Sequence, residues 1–201
     1  LNKIYTVNQS IADIYEKKYG KKLFVVRNVS PRIKDLESVS KETYQIPSDK
    51  KMLILQGAGI NVDRGAEELV EAMMEIDDAV LVILGDGDVV PQLKAFVKKN
   101  ELEEKVFFLG KKPYREMLAI SALADIGFSL DKSTNINYEN SLPNKIFDYI
   151  QVGTPIIASN IKEVKNVVET HEIGLIIEEV SISILIENIK KLLENEEKRL
   201  Y

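Results

Sequence analysis

Lys145 and Asp148 stand three residues apart in a stretch with the pattern of a helix. At about 100° per residue, that spacing puts a cation and a carboxylate near each other on one face. Pro143 suits the first turn of this helix, with Asn140 or Ser141 available to cap it. Ile146, Phe147 and Ile150 recur at helical spacing and are expected to form the buried stripe behind that face. Gly153, Thr154 and Pro155 then end the helix and open the apolar run Ile156, Ile157, Ala158. A helix N-terminus attracts phosphate through its free N–H groups and its dipole, and a lysine in the first turns adds a full charge. A carboxylate one turn later suits the two hydroxyls of a ribose. The same spacing also fits a solvated Lys–Asp pair on an ordinary surface helix.

Three glycine-bearing turns offer related chemistry. Gly57 and Gly59 follow an apolar run and precede Arg64 and Gly65. A glycine-rich turn between strand and helix lets backbone approach a phosphate closely. As a dinucleotide fingerprint the turn is poor, since Val62 stands where the third glycine belongs. Arg64 could instead pair with Glu67 or Glu68 on its own helix. Gly85 and Gly87 end a second apolar run, and Gly110 ends a third; taken alone, such pairs fit simple turns.

The elements that must position these residues alternate along the chain. Strand-type runs at 52–56, 80–84, 106–109, 126–130, 155–158 and 175–177 are separated by helical patterns at 64–76, 90–100, 115–123, 143–152, 162–169 and 183–197. Alternating strands and helices predict an α/β fold: a Rossmann-like, doubly wound, mostly parallel six-stranded sheet. Every glycine turn follows the carboxyl end of a strand, the edge where such sheets bind ligands. Residues 1–30 read separately as strand 3–7, a helix 10–19 capped by Ser10, and strand 23–26. The polar segment 29–47 has a proline near each end and reads as a connection with one short helix. The division is therefore 1–47 and 48–201.

With a net charge of −5, a general nucleic-acid surface is disfavoured, and 45% apolar and 29% charged residues fit an ordinary globular chain of 201 residues. The absence of cysteine excludes disulfides and thiolate metal sites. Lys17, Lys18, Lys21 and Lys22 form the one dense basic cluster and read as a solvated helix end, because no long apolar face accompanies them. His171, the single histidine, lies in a polar turn far from the other motifs. The apolar runs are too short for a membrane span, and nothing resembles a signal peptide.

The block Ser141, Pro143, Lys145, Asp148, Tyr149, Gly153, Pro155 resembles the donor-binding signature S-x-P-x-K-x-x-E-Y-x-x-x-G-x-P of retaining GT-B glycosyltransferases. These belong to the group 1 or family 4 type, which includes bacterial capsule and O-antigen transferases. Asp148 replaces the usual Glu. Other branches carry two Glu separated by seven residues; Asn140 takes the first slot here, so the carboxylate that contacts the sugar is missing, with Glu139 one position away. The resemblance implies that Arg64 and Lys145 grip the diphosphate and stabilise its departure. It implies donor contacts from Gly57, Gly59, Asn61, Gly85, Gly87, Gly110, Glu139, Asn140, Ser141, Leu142, Pro143 and Asp148, with Asn137 and Tyr138 near the sugar or serving as loop filler. The implied donor is a UDP- or GDP-linked sugar, with no cofactor and no metal. The acceptor, a saccharide or a lipid-linked one, would dock on a missing N-terminal domain whose last piece is 1–47. Since the chain begins at Leu1 rather than Met, it is expected to be a piece of a longer protein, inactive alone. The full-length enzyme would be cytoplasmic and able to sit peripherally at the inner membrane.

Three other functions compete. A nucleotide-sugar epimerase of similar form would lack the P-x-K-x-x-D/E block. A dinucleotide-dependent oxidoreductase would need the third glycine and an acidic residue ending the second strand. A non-catalytic nucleotide-binding half is compatible with the residues.

Overall fold

The computed structural model describes residues 3–194. Six parallel strands form one sheet: β3 (Lys51–Gly57), β4 (Ala79–Gly85), β5 (Val106–Gly110), β6 (Ile126–Ser129), β7 (Ile156–Ser159) and β8 (Gly174–Ile177). Their spatial order is β5-β4-β3-β6-β7-β8, and every neighbouring pair is parallel. From β3 the chain winds outward to β4 and β5, then returns to β6 and winds the other way. The reversal leaves a crevice beyond the carboxyl ends of β3 and β6, where doubly wound folds take their ligands.

The sequence dictates this arrangement through burial. Met52–Leu55 and Ala79–Leu84 are continuous apolar runs buried on both sides, as a parallel sheet covered by helices requires. On one face lie α2 (Ala66–Ala72), α3 (Val90–Lys99) and α8 (Ile182–Glu194), packing Leu69, Leu93, Leu185 and Ile189 against Leu53, Leu81 and Ile83. The other face carries α4 (Tyr114–Ser121), α6 (Asn144–Val152) and α7 (Lys162–Thr170), packing Ile120, Ile146, Tyr149 and Val164 against Met52, Ile54 and Val82. The short helix α5 (Ile136–Glu139) was not expected from the pattern. The short helix expected in the connection is a 3-10 turn, Lys41–Tyr44.

Residues 5–25 form a separate unit: β1 (Tyr5–Thr6), α1 (Gln9–Tyr19) and β2 (Phe24–Val25), the two strands parallel. Both strands are shorter than expected. Asn8, not Ser10, caps α1: its Oδ1 accepts from the Ile11 N–H at 2.9 Å. Ser10 lies inside the helix, where its N–H donates to Glu163 Oε1 at 2.8 Å and ties α1 to α7. Tyr5, Phe24 and Val26 remain 59%, 44% and 59% exposed.

Two further expectations change. The helix expected over 64–76 begins only at Ala66, because Gly65 adopts φ +70° and a Cβ there would meet the Leu130 Cβ at 2.5 Å. It gives way at Met73–Glu75 to a 3-10 turn. The last helix is described to Glu194, and the expected residues 195–197 lie outside the described range.

Candidate functional site

A cleft of about 500 Å³ opens at the reversal point, lined by Gln56, Gly57, Gly59, Arg64, Tyr114, Pro143, Lys145, Asp148 and the connection residues 28–31. Two elements bring the cations there. The turn after β3 delivers Arg64, helped by the left-handed residues Asp63 and Gly65 at φ +64° and +70°. The N-terminus of α6 delivers Lys145, whose Nζ lies 4.0 Å from where a Cβ on Gly57 would stand. Arg64 and Lys145 thus face one cleft, as the sequence predicts.

The helix that carries Lys145 is anchored by Tyr149. Its hydroxyl accepts from the Gln56 N–H at 3.3 Å and lies 3.2 Å from the Ile54 carbonyl. Burial of the phenol pushes its pKa up. Gly127 makes this possible, since a Cβ there would come within 2.8 Å of the Tyr149 ring. The buried face of α6 is therefore Ile146, Asp148 and Tyr149, while Ile150 is 41% exposed and Phe147 only partly covered. This corrects the expected stripe. The cap also differs: Pro143 holds the N-cap position and no side chain caps the helix. Asn140 Nδ2 donates instead to Ile136 O at 2.8 Å, and Ser141 Oγ to Tyr138 O at 2.9 Å.

One of the two cations is incompletely satisfied. Arg64 reaches Asp131 at 3.4 Å and stacks over the Tyr138 ring at 5.0 Å, yet its buried Nε has no hydrogen-bond partner among the described residues. Burial holds the Lys145 ammonium below its ordinary pKa; Asp131 pulls it back up and Arg64 pushes it further down. An unfolded chain keeps the proton to the ordinary value of about 10.4. Between the lowered value and that one the unfolded state binds more protons, so stability rises with pH there, while anion binding at Lys145 is lost. An anion held by Lys145 is expected to bind more weakly as pH rises into that window, and UDP serves as the probe. Lys145→Arg should flatten the decline, because a guanidinium stays charged. Titration calorimetry of both proteins from pH 7 upward checks this, and parallel declines would exclude Lys145 as the titrating contact.

Asp148 is 5% exposed and its carboxylate is already engaged. Oδ2 accepts from Gln56 Nε2 at 3.1 Å; Oδ1 accepts from Tyr114 OH at 2.9 Å and from Ser30 Oγ at 2.5 Å. It faces the cleft beside Lys145 rather than open solvent.

Other expected site residues lie elsewhere. Gly85 and Gly87 pack behind the first turn: a Cβ on Gly85 would meet Gly57 O at 1.8 Å, and one on Gly87 would meet Ile60 O at 2.2 Å. Asn61 Oδ1 accepts from the Asp88 N–H at 3.1 Å and joins the two turns. Gly110 is exposed with open space around it, and Glu139 is exposed at the end of α5. Asn140, Ser141 and Leu142 line a second groove of about 540 Å³ against Ile11, Ile14 and Tyr15 of α1. Glu139 and Asn140 are not among the residues that line this cleft. His171 is exposed and ends α7.

Asp131, Gln56, Tyr114 and Ser30 belong to the site and were not singled out from the sequence. Asp131 and Gln56 had a signal, each being a polar residue at the carboxyl end of an apolar strand. Among the described residues no cluster of three or more His, Cys, Asp or Glu could hold a metal ion, and no helix is long and apolar enough to cross a membrane.

The profile of the family described as glycosyl transferases group 1 matches residues 38–201. No curated protein matches the chain by sequence. Among solved structures, the chain is similar to WaaG, a glycosyltransferase involved in lipopolysaccharide biosynthesis, at TM-score 0.79 and 16% identity, covering 98% of this chain and 55% of that one. HepE from Anabaena, solved with UDP and glucose, aligns at TM-score 0.76 and 16% identity, with 98% and 55% covered. The C-terminal domain of LpcC from Francisella tularensis, a glycosyl transferase group 1 family protein, aligns at TM-score 0.63 and 17% identity, with 82% and 88% covered. The chain spans about half the length of the first two.

Proposed function

Because this chain belongs to the glycosyl transferases group 1 family, we propose that its cleft binds the diphosphate of a UDP- or GDP-linked sugar, which is transferred with retention to a saccharide or lipid-linked acceptor in cell-surface polysaccharide synthesis. The observation that carries this reading is the meeting of Arg64 and Lys145, cations from two separate elements, beside the uncapped N-terminus of α6. Preorganised positive charge is what a departing diphosphate needs, and in this proposal it replaces a metal ion. Asp148 holds the ribose. HepE, of the same fold, was solved with UDP and glucose, which favours a nucleotide as the ligand.

The exposed apolar side chains of β1 and β2 support reading 1–47 as the close of a preceding domain and its linker, with 48–201 as the donor domain. The acceptor then docks on that other domain, and the present chain binds nucleotide without transferring sugar, since catalysis needs groups from both sides. The whole enzyme works in the cytoplasm, peripheral to the inner membrane.

Thermal-shift measurements with UDP, GDP, ADP and pyrophosphate test the proposal, since a ligand at a hundred times its Kd adds about 2.7 kcal/mol of stability. Asp148→Asn is expected to weaken the preferred nucleoside diphosphate by about threefold to tenfold and pyrophosphate little, because only the nucleotide carries a ribose. No stabilisation by any of the four would end the reading.

A further inference from the structure

Three donors already engage Asp148 before any ligand arrives, two of them on Oδ1. Gln56, 1% exposed, donates to Oδ2, and its amide is fixed because Ser121 Oγ donates to Gln56 Oε1; this contact belongs to the frame. Oδ1 receives two hydroxyls, Tyr114 OH and Ser30 Oγ, both from residues that line the cleft. A carboxylate oxygen offers about two lone-pair sites, so Oδ1 can take another hydroxyl only by releasing one of these. Two hydroxyls converging on one carboxylate is also the donor pattern of a vicinal diol.

The two hydroxyls are not equally held. Tyr114 opens α4, whose Leu118 and Ile120 are buried. Ser30 sits in a stretch without regular structure that is tied down by side-chain contacts: Asn28 Nδ2 to Asn144 Oδ1 at 3.2 Å, Ile33 N–H to Gln151 Oε1 at 2.8 Å, and Arg115 to the Asp35 carbonyl. Asn144, Gln151 and Asp148 all belong to α6. Segments held by few, partly exposed bonds open at the lowest cost.

We propose that Ser30 and Tyr114 are an internal surrogate for a ligand's vicinal diol on Asp148, and that a nucleotide's ribose takes the place of Ser30 and loosens residues 28–35 from α6. The inference rests on Asp148 as the ribose carboxylate and adds what that contact must displace. It makes occupancy of the cleft and freedom of the connection two readings of one hydrogen bond. A ligand lacking the diol, such as pyrophosphate, leaves Ser30 in place, so it fills the phosphate subsite without moving the connection. A ligand can shift that equilibrium only through such a differential contact.

Calorimetric titration with UDP, GDP and pyrophosphate, paired with hydrogen exchange of the Ile33 amide, tests this on the wild type, Ser30→Ala and Ser30→Thr. Ser30→Ala is expected to bind whichever nucleoside diphosphate binds best about threefold to tenfold more tightly, the worth of one competing hydrogen bond, with pyrophosphate unchanged. Ser30→Thr keeps the hydroxyl and should behave as the wild type. In the wild type, the nucleotide should speed exchange at Ile33 and pyrophosphate should not. If the nucleotide binds but Ser30→Ala shows unchanged affinity, or Ile33 becomes more protected, the displacement is refuted while the nucleotide reading survives. If none of the three ligands binds, both fall together.

Discussion

Lys145→Ala is expected to bind UDP, GDP and pyrophosphate alike more weakly, by roughly 1.5–3 kcal/mol, the range of a charge-assisted hydrogen bond. That is about a tenfold to hundredfold loss. The size follows from position: the ammonium reaches to within 4.0 Å of where a Cβ on Gly57 would stand and shares the cleft with Arg64. The fold should tolerate the change, because holding the ammonium there already costs stability, as its lowered pKa shows. Calorimetric titration reads the effect, with an unfolding midpoint as control. Unchanged pyrophosphate affinity would mean that α6 is only a surface helix. Equal weakening of all three ligands separates this residue from Asp148, whose loss should spare pyrophosphate.

Gly85→Ala is expected to cost more than about 4 kcal/mol of stability, at the exceptional end of single substitutions. Gly85 and Gly57 are partners across β4 and β3. A Cβ on Gly85 would stand 1.8 Å from Gly57 O and 2.9 Å from Gly57 C, and its φ of +137° suits glycine alone. The obstruction is backbone at the carboxyl ends of two paired strands, which cannot swing aside as a side chain does. Gly110→Ala is the matched comparison: φ is +64°, but nothing lies within 4 Å of its Cβ, so the cost should stay near 1 kcal/mol. Urea denaturation of the two variants decides the matter. Similar midpoints would show that the close approach of β3 and β4 is softer than its geometry.

The sheet was legible because each strand is a short apolar run bounded by glycine or a polar residue, and parallel burial needs little more. The cleft was legible where its chemistry is local: Gly57, Gly59, Arg64, Pro143, Lys145 and Asp148 share it as expected. Legibility failed where a contact joins distant segments. Ser30 meets Asp148 across 118 positions and Tyr114 across 34, and no local pattern announces either bond. The helix face was misjudged for a related reason. Periodicity selected Ile150 for the interior, but Tyr149 wins that place because its hydroxyl finds the ends of β3 and its ring finds the gap at Gly127. Glu139 and Asn140 were placed by the family resemblance, and the short helix α5 ends there without bringing them into the cleft's lining.

The pair β1–β2 has a colloidal consequence. Each strand is two residues long, their register ends at Thr6 and Val25, and Tyr5, Phe24 and Val26 lie bare around them. Unpaired strand edges bordered by apolar side chains are templates for another strand. Copies of this chain taken without a covering partner are expected to associate through that corner as concentration rises, which light scattering reads.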